Sequence, residues 1–258
     1  MFDRKLTVSK VRKRLKQNKV SIGSWMQLNS PDVAEIMGQA GFDWIAVDME
    51  HGSISSSDLP NLFRALELGN TLPLVRIAEG TLSNCKQALD AGAGGLIIPM
   101  ILEGKQLKEI ISWCCWPPKG VRGVGYSRAN LFGKNFDVYN QESQTPLIVA
   151  QIEHIKAVEN LEEILKIEGL DAIFIGPYDL SASMGLTGSF EHPNYIEVVK
   201  KVVKIAKIAS IPAGIHVIEP NQLKLKNAIN EGYKLLAFSI DGQFILSCSK
   251  YKNVIDSK

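Results

Sequence analysis

Short apolar runs along this chain repeatedly end in side chains that can do chemistry. One run ends near Gln27, another in Asp48, Glu50 and His51, and a third carries Arg76. Later runs end in Gln151 and Glu153, in Tyr178 and Asp179 after a Gly-Pro pair, near His216, and at Asp241. Glu153 and Asp179 stand 26 residues apart, with no cysteine ligand and no histidine pair between them. Two carboxylates without sulfur or paired imidazoles suit a hard divalent cation: Mg²⁺ first, with Mn²⁺ or Co²⁺ as alternatives. They fill two of about six octahedral positions and leave the rest to water and substrate. A 2-oxo acid can chelate such an ion through its carboxylate and keto oxygens. The ion then acts as a Lewis acid and favours an enolate. Arg76 offers a planar fork for developing negative charge, and His51 can carry a proton near neutral pH.

Each residue taken singly has a plainer reading. Asp179 could cap a short helix, Glu153 could pair with Lys156, Arg76 could be a strand-end ion pair, and His51 could bond to backbone. Gathered at one place without a ligand, the charges would repel and lose hydration, so their concurrence points to a bound ligand. No lysine stands within a strand or at the catalytic end of one; Lys234 opens the last strand at the opposite end. A Schiff-base mechanism is therefore disfavoured.

The elements that must position these groups are legible as a repeat. The segments 40–48, 91–99, 168–176 and 231–239 each run from a helical stretch through a Gly into three or four apolar residues. Gly suits the left-handed position past a helix end, and a short continuous apolar run suits a strand buried on both faces. Apolar runs at 22–27, 73–77, 146–153 and 212–217 interleave with them, three opening with Pro. Helical stretches are predicted at 31–40, 57–68, 81–91, 103–112, 155–167, 193–209 and 219–230. Eight alternating units imply a closed (β/α)₈ TIM barrel, an α/β fold of roughly 250 residues. An open sheet is the alternative if the strand count is off by one. No Gly-x-Gly-x-x-Gly follows the first strand, against a dinucleotide fold. In a barrel the chemistry sits at the C-terminal ends of the strands, which is where the polar residues fall. Residues 113–145 read as a long loop insertion of functional type.

Composition agrees with a single (β/α)₈ domain over residues 1–258. The chain is 45% hydrophobic and 22% charged, which excludes disorder and low-complexity architectures. Net charge is +2, which excludes a whole-domain nucleic-acid footprint. Residues 1–19 carry eight basic residues and one acid, a balance of +7, which leaves −5 on the other 239. That arm reads as a short N-terminal helix with Val11 and Leu15 packed one turn apart, or else as a surface for an anionic partner. It has no apolar stretch of a secretory signal, and nothing approaches the ~20 apolar residues of a membrane span. Cys85, Cys114, Cys115 and Cys248 lack metal or disulfide spacing, which fits reduced thiols in the cytoplasm.

Several motifs together resemble the HpcH/HpaI family of class II, metal-dependent pyruvate aldolases. They are the run from Gly41 to His51, Val75-Arg76, Ile98-Pro99-Met100, the run from Pro117 to Gly123, Gln151-Ile152-Glu153, and the run from Phe174 to Ser181. The resemblance spans about residues 20–241, in the family's order. It implies Glu153 and Asp179 as metal ligands, His51 as general base, and Asp90 as an acid raising that base's strength. It implies Arg76 as the enolate's partner, and Gln151 and the backbone at Tyr178 as pyruvate contacts. Asp48 rivals Asp90 as the partner of His51. The family is similar in forming hexamers whose neighbouring chains help close the site, so a homo-oligomer is expected.

The expected activity is reversible cleavage of a 4-hydroxy-2-oxo acid to pyruvate and an aldehyde, with no nucleic-acid or membrane partner. A related lyase or decarboxylase acting on oxaloacetate-like acids is the alternative within enzymes, and a non-catalytic binding barrel the alternative outside them. Residues 125–130, His216 and Ser239-Ile240-Asp241 depart from the family pattern, where the acceptor aldehyde is expected.

Overall fold

The computed structural model describes residues 2–249. The chain first forms α1 (Arg4–Lys16), and then eight strands alternate with helices. The first half runs β1 (Ser21–Met26), α2 (Pro31–Gln39), β2 (Trp44–Asp48), α3 (Leu59–Leu68), β3 (Leu72–Arg76), α4 (Leu82–Ala91), β4 (Gly95–Ile98) and α5 (Gly104–Cys114). A 3₁₀ segment (Arg128–Gly133) and α6 (Phe136–Glu142) follow, then β5 (Leu147–Ile152), α7 (Ile155–Glu159), α8 (Leu161–Ile164) and β6 (Ala172–Ile175). The last part is α9 (Pro177–Ser183), α10 (Pro193–Ile208), β7 (Ala213–Val217), α11 (Gln222–Glu231), β8 (Leu235–Ile240) and α12 (Asp241–Cys248). The strands pair in parallel, in chain order, and β1 closes on β8. The open-sheet alternative is thereby excluded.

The strands read as unbroken apolar runs because both faces are buried. One face looks outward onto the helices: Ile45, Val75 and Ile148 join Phe63, Leu89 and Leu107 in a single cluster. The other face fills the lumen, where Trp25, Trp44, Leu74, Val149, Phe174 and Leu235 pack together. The helix α1 plugs the N-terminal end of the lumen with Val8, Val11 and Leu15. The basic arm is thus an element of the barrel, with Arg12 forked onto Asp171 at 2.6 and 2.9 Å. All four glycines of the strand repeat, Gly41, Gly92, Gly169 and Gly232, have positive φ, the conformation that lets each helix or turn reverse into the next strand.

Two segments differ from expectation. The link at 113–145 is no simple loop: α5 ends within it, the 3₁₀ segment and α6 lie inside it, and Trp116, Ala129 and Tyr139 form a small core. Arg4 ties it to the arm, donating to the Ala129 carbonyl at 2.6 Å and to Glu142 at 3.0 Å. The helix predicted over 155–167 is two short ones, broken at Asn160, whose amide donates to the Leu102 carbonyl at 2.8 Å. Among the described residues no helix is long and apolar enough to cross a membrane.

Lumen packing is tightest where β1 meets β2. A Cβ placed on Gly23 would lie 2.1 Å from the ring of Trp44, which is completely buried. Gly23→Ala is therefore expected to destabilise the protein by about 1–3 kcal/mol through overpacking. Urea unfolding measures this, and unchanged stability would contradict the lumen packing described.

Candidate active site

The alternation that fills the lumen also builds a polar layer above it. Asp48 ends β2 and Arg76 ends β3, and the two are register partners. Parallel register puts their side chains next to each other on the lumen face. Arg76 donates from Nε to Asp48 Oδ1 at 2.8 Å and from Nη2 to Oδ2 at 2.7 Å. Its Nη1 lies 2.9 Å from Glu50 Oε2 without hydrogen-bond alignment, so that contact is one of charge. The guanidinium carbon sits 5.2 Å over the Trp25 ring. Asp48 is fully buried and also accepts from Gln27 Nε2 at 2.7 Å and from the backbone N–H of Glu50 and His51 at 3.1 and 3.3 Å. Burial alone would raise the Asp48 carboxyl. The hydrogen bonds and charge of Arg76, helped by Gln27, outweigh it and hold the group below the ordinary carboxylate value.

Glu153 follows β5 and is 1% exposed. It accepts from the Met100 N–H at 2.6 Å and from the amide of Gln151. Met100 takes a positive φ of 52°, unusual for a side chain of its size. Across from it, Gly176 leaves no spare room, since a Cβ there would lie 2.5 Å from Glu153 Oε2. Burial pushes the Glu153 carboxyl up, and the charge of Asp179 pushes the same way against its hydrogen-bond donors. Asp179 lies in the first turn of α9 and is open to solvent. A buried carboxylate facing a second, open one is an arrangement that a cation relieves. The donor set is all oxygen and leaves most positions of a hard divalent ion free, so these residues fit such an ion.

Arg76 and Asp179 border a cavity of about 340 Å³ at the C-terminal ends of the strands, lined also by Gln27, His51, Gln151 and Tyr178, with Glu153 held against the lining residues Gln151 and Gly176. A second cavity, of about 220 Å³, lies at the other end under α1 and holds none of them. Gln151 is buried, and its Oε1 has no hydrogen-bond partner among the described residues. Tyr178 is 55% exposed, its ring packs edge-on against Phe190 at 5.0 Å, and its backbone lies in the first turn of α9 at the cavity.

The pairing of His51 with an acid is not found as expected. Asp90 ends α4, at the opposite end of the barrel from His51, and its nearest cation is Arg122 at 3.9 Å. Within one chain it does not reach the site. Asp48 touches only the backbone of His51, because its oxygens are taken by Arg76 and Gln27. The acid nearest the ring is Glu50, whose Oε2 is 4.0 Å from His51 Nε2. Burial raises the Glu50 carboxyl, against the charge of Arg76. The sequence shows Glu50 among the strand-end acids but assigns it no role, and it gives no sign of the Met100 N–H. Glu50 stands beside His51 in the same strand end and was open to notice; a backbone donor leaves no mark in residue type.

A closed parallel barrel with acids, an arginine and a histidine at the C-terminal mouth is a (β/α)₈ enzyme working on a small polar ligand there. Residues 21–247 match the family model described as HpcH/HpaI aldolase/citrate lyase, and the chain belongs to that family as a lyase of the aldolase type. It is 34% identical over 243 residues to a hydroxypyruvate/pyruvate aldolase of Roseobacter denitrificans, covering 93% of each. It is 33% identical over 232 residues to the 2-keto-3-deoxy-L-rhamnonate aldolase of Escherichia coli (strain K12), covering 89% of this chain and 86% of that one. The solved structure of an HpcH/HpaI aldolase/citrate lyase family protein from Burkholderia cenocepacia J2315 matches with a TM-score of 0.88 at 30% identity, covering 93% of this chain and 96% of that one.

Asp48→Asn removes one partner of a buried ion pair, which typically costs about 3–5 kcal/mol. Because the folded carboxyl titrates below its ordinary value of 3.8, its contribution is full above that pH and is lost as the pH falls through the folded value. The stability gap between wild type and variant is therefore expected to be widest at neutral pH and to shrink below about pH 4. Urea unfolding across pH measures it, and a gap constant from pH 7 to 3 would contradict the ion pair.

Proposed function

We propose that this aldolase cleaves a 4-hydroxy-2-oxo acid to pyruvate and an aldehyde, and runs the reverse addition, at the cavity above Arg76. The buried Glu153 carboxylate facing Asp179 is the observation that carries the reading. These two residues would hold a divalent cation, with Mg²⁺ the best match to an all-oxygen donor set. Such an ion supplies Lewis-acid polarisation of the 2-keto oxygen.

The chain's own groups do the rest. Gln151 and the backbone N–H at Tyr178 orient the 2-oxo acid carboxylate. Arg76 is held rigid by Asp48 and Glu50, and its positive charge faces the oxygen that becomes an enolate. His51, the open base at the mouth, takes the proton from the 4-hydroxyl. The C3–C4 bond then breaks, its electron pair moving onto C3 and the keto oxygen as the aldehyde leaves. Proton return to C3 gives pyruvate. Asp90 has no part in this scheme within one chain.

We further infer a homo-oligomer, with a hexamer as the family resemblance implies. Tyr126 and Phe132 in the 113–145 link are 77% and 70% exposed, an apolar surface of the kind that subunit contacts cover. The buried free thiols of Cys85, Cys114 and Cys115 suit the reducing cytoplasm.

Metal-replete protein is expected to release pyruvate from at least one member of a panel of 4-hydroxy-2-oxo acids, followed by a coupled pyruvate assay. Glu153→Gln is expected to lower that rate by about 10²–10³, the usual effect of losing one group that stabilises transition-state charge. No pyruvate from any member, or full activity in the variant, would refute the assignment.

A further inference from the structure

Ser239-Ile240-Asp241, where the chain departs from the family pattern, carries a local break in the barrel. Along β8 the side chains first alternate as in any strand. Leu235 and Ala237 pack in the lumen, and Leu236 and Phe238 pack outward among the helices. Strict alternation would send Ile240 outward as well. Instead it packs on the lumen cluster and lines the cavity at the mouth. The register shows why. Gly23 pairs with Ala237 and Trp25 with Ile240, so two residues of β1 advance against three of β8. The extra residue makes a β-bulge, and Ser239 within it takes a φ of 60°, in the left-handed region.

That backbone is strained for a serine, and such strain persists only where the surroundings over-determine it. Here they do. The Ser239 hydroxyl donates to the Ile218 carbonyl at 2.9 Å. Its own carbonyl accepts from Ser24 Oγ at 3.1 Å and lies 2.9 Å from His216 Nε2. Bulges beside active sites commonly re-aim a side chain, and the side chain re-aimed here is Ile240.

Ile240 has apolar company at the mouth. Ile218, directly after β7, and Trp25 on β1 line the same cavity. The strands β7, β8 and β1 are neighbours in the ring, and no acid, lysine or arginine is among the residues they bring to that cavity. His216 belongs to this arc too, and burial pushes its imidazole down to about 4, so it adds no charge at pH 7. In a ring of eight strands β1 stands opposite β5, the strand that leads into Glu153. A ligand whose 2-oxo acid end is held beside Glu153 and Asp179 therefore points its other end at this arc. We propose that Ile240, with Ile218, is a specificity-determining residue that selects acceptor aldehydes carrying an apolar alkyl chain over those ending in a carboxylate. The proposal rests on the aldol reading above for the position of the 2-oxo acid. Each methylene of the chain leaves water against these side chains, whereas a carboxylate would lose its hydration there and gain no cation from the arc.

A series of acceptors tests this, with pyruvate as donor and Mg²⁺ present. From acetaldehyde through propionaldehyde to butyraldehyde, wild type is expected to gain about fourfold in kcat/KM per methylene. Succinic semialdehyde is expected to rank below butyraldehyde. Ile240→Ala is expected to cut the gain to less than about twofold per methylene, because the chain then has less surface to bury against. Ile218→Ala is expected to act in the same direction, and it carries the test if thermal unfolding shows that Ile240→Ala fails to fold. Phe238→Leu alters the neighbour that faces the helices and is expected to keep the wild-type gain. A flat series, a preference for succinic semialdehyde, or a gain that both alanine variants leave unchanged overturns the proposal. So does a Phe238→Leu effect as large as that of Ile240→Ala. If wild type joins pyruvate to none of these aldehydes, the aldol reading fails, and calorimetric titration of the Mg²⁺-loaded protein with pyruvate, 2-oxopentanoate and 2-oxohexanoate decides the apolar arc. Affinity that tightens with chain length in wild type but not in Ile240→Ala upholds it. Affinity that does not tighten, or no binding by any of the three, overturns it.

Discussion

The buried fork between Arg76 and Asp48 organises the whole mouth of this barrel. Removing two charges from water is expensive, and the pair survives only because its hydrogen-bonding capacity is met almost completely. Both Asp48 oxygens receive guanidinium N–H groups, Gln27 adds a third donor, and the backbone of Glu50 and His51 adds two more. One carboxylate thereby fixes three things at once. It locks the arginine's orientation, it ties the end of β1 to that of β2, and it folds the turn that carries His51. The origin of all this is strand register, since Asp48 and Arg76 are direct partners in the parallel β2–β3 ladder.

Charge balance around that pair explains the rest of the site. Arg76 is shared by Asp48 and Glu50, while Asp179 at the cavity and the buried Glu153 form no ion pair among the described residues. Negative charge therefore exceeds positive at the mouth. Beneath it lies a packed apolar lumen of Trp25, Phe174 and their neighbours, which weakens dielectric screening and strengthens every interaction above it. A site of this kind prefers a cation with an anionic chelating ligand to either one alone. The neutral His216 beside Arg76 keeps a second positive charge from the floor, which leaves the polarity of the site set by the carboxylates.

Much of this was legible in the chain itself. The Gly-then-apolar repeat marks alternate strands because a left-handed residue must precede each of them, and Gly41, Gly92, Gly169 and Gly232 all take that conformation. The polar residues at strand ends followed from barrel architecture, and Arg76, Gln151, Glu153 and Asp179 do meet in space. What escaped has physical reasons. The Met100 N–H that holds Glu153 is a backbone group, invisible in residue type. Asp90 belongs to a helix end, and helix ends lie at the opposite face from strand ends, so within one chain the acid beside the His51 ring is Glu50. The link at 113–145 looked like loop because its helices are short and its Gly-rich start dominates the local pattern, while the Trp116–Tyr139 contact that organises it is long-range.

The central claim is that this mouth generates a pyruvate enolate with the help of a divalent cation held by Glu153 and Asp179. Exchange of pyruvate methyl protons for solvent deuterium, followed by NMR, reads that step without any aldehyde. The account predicts exchange in the presence of the protein and Mg²⁺ or Mn²⁺, abolished by a chelator and restored by added metal. Exchange that is absent from metal-replete protein, or that persists unchanged under the chelator, would contradict it.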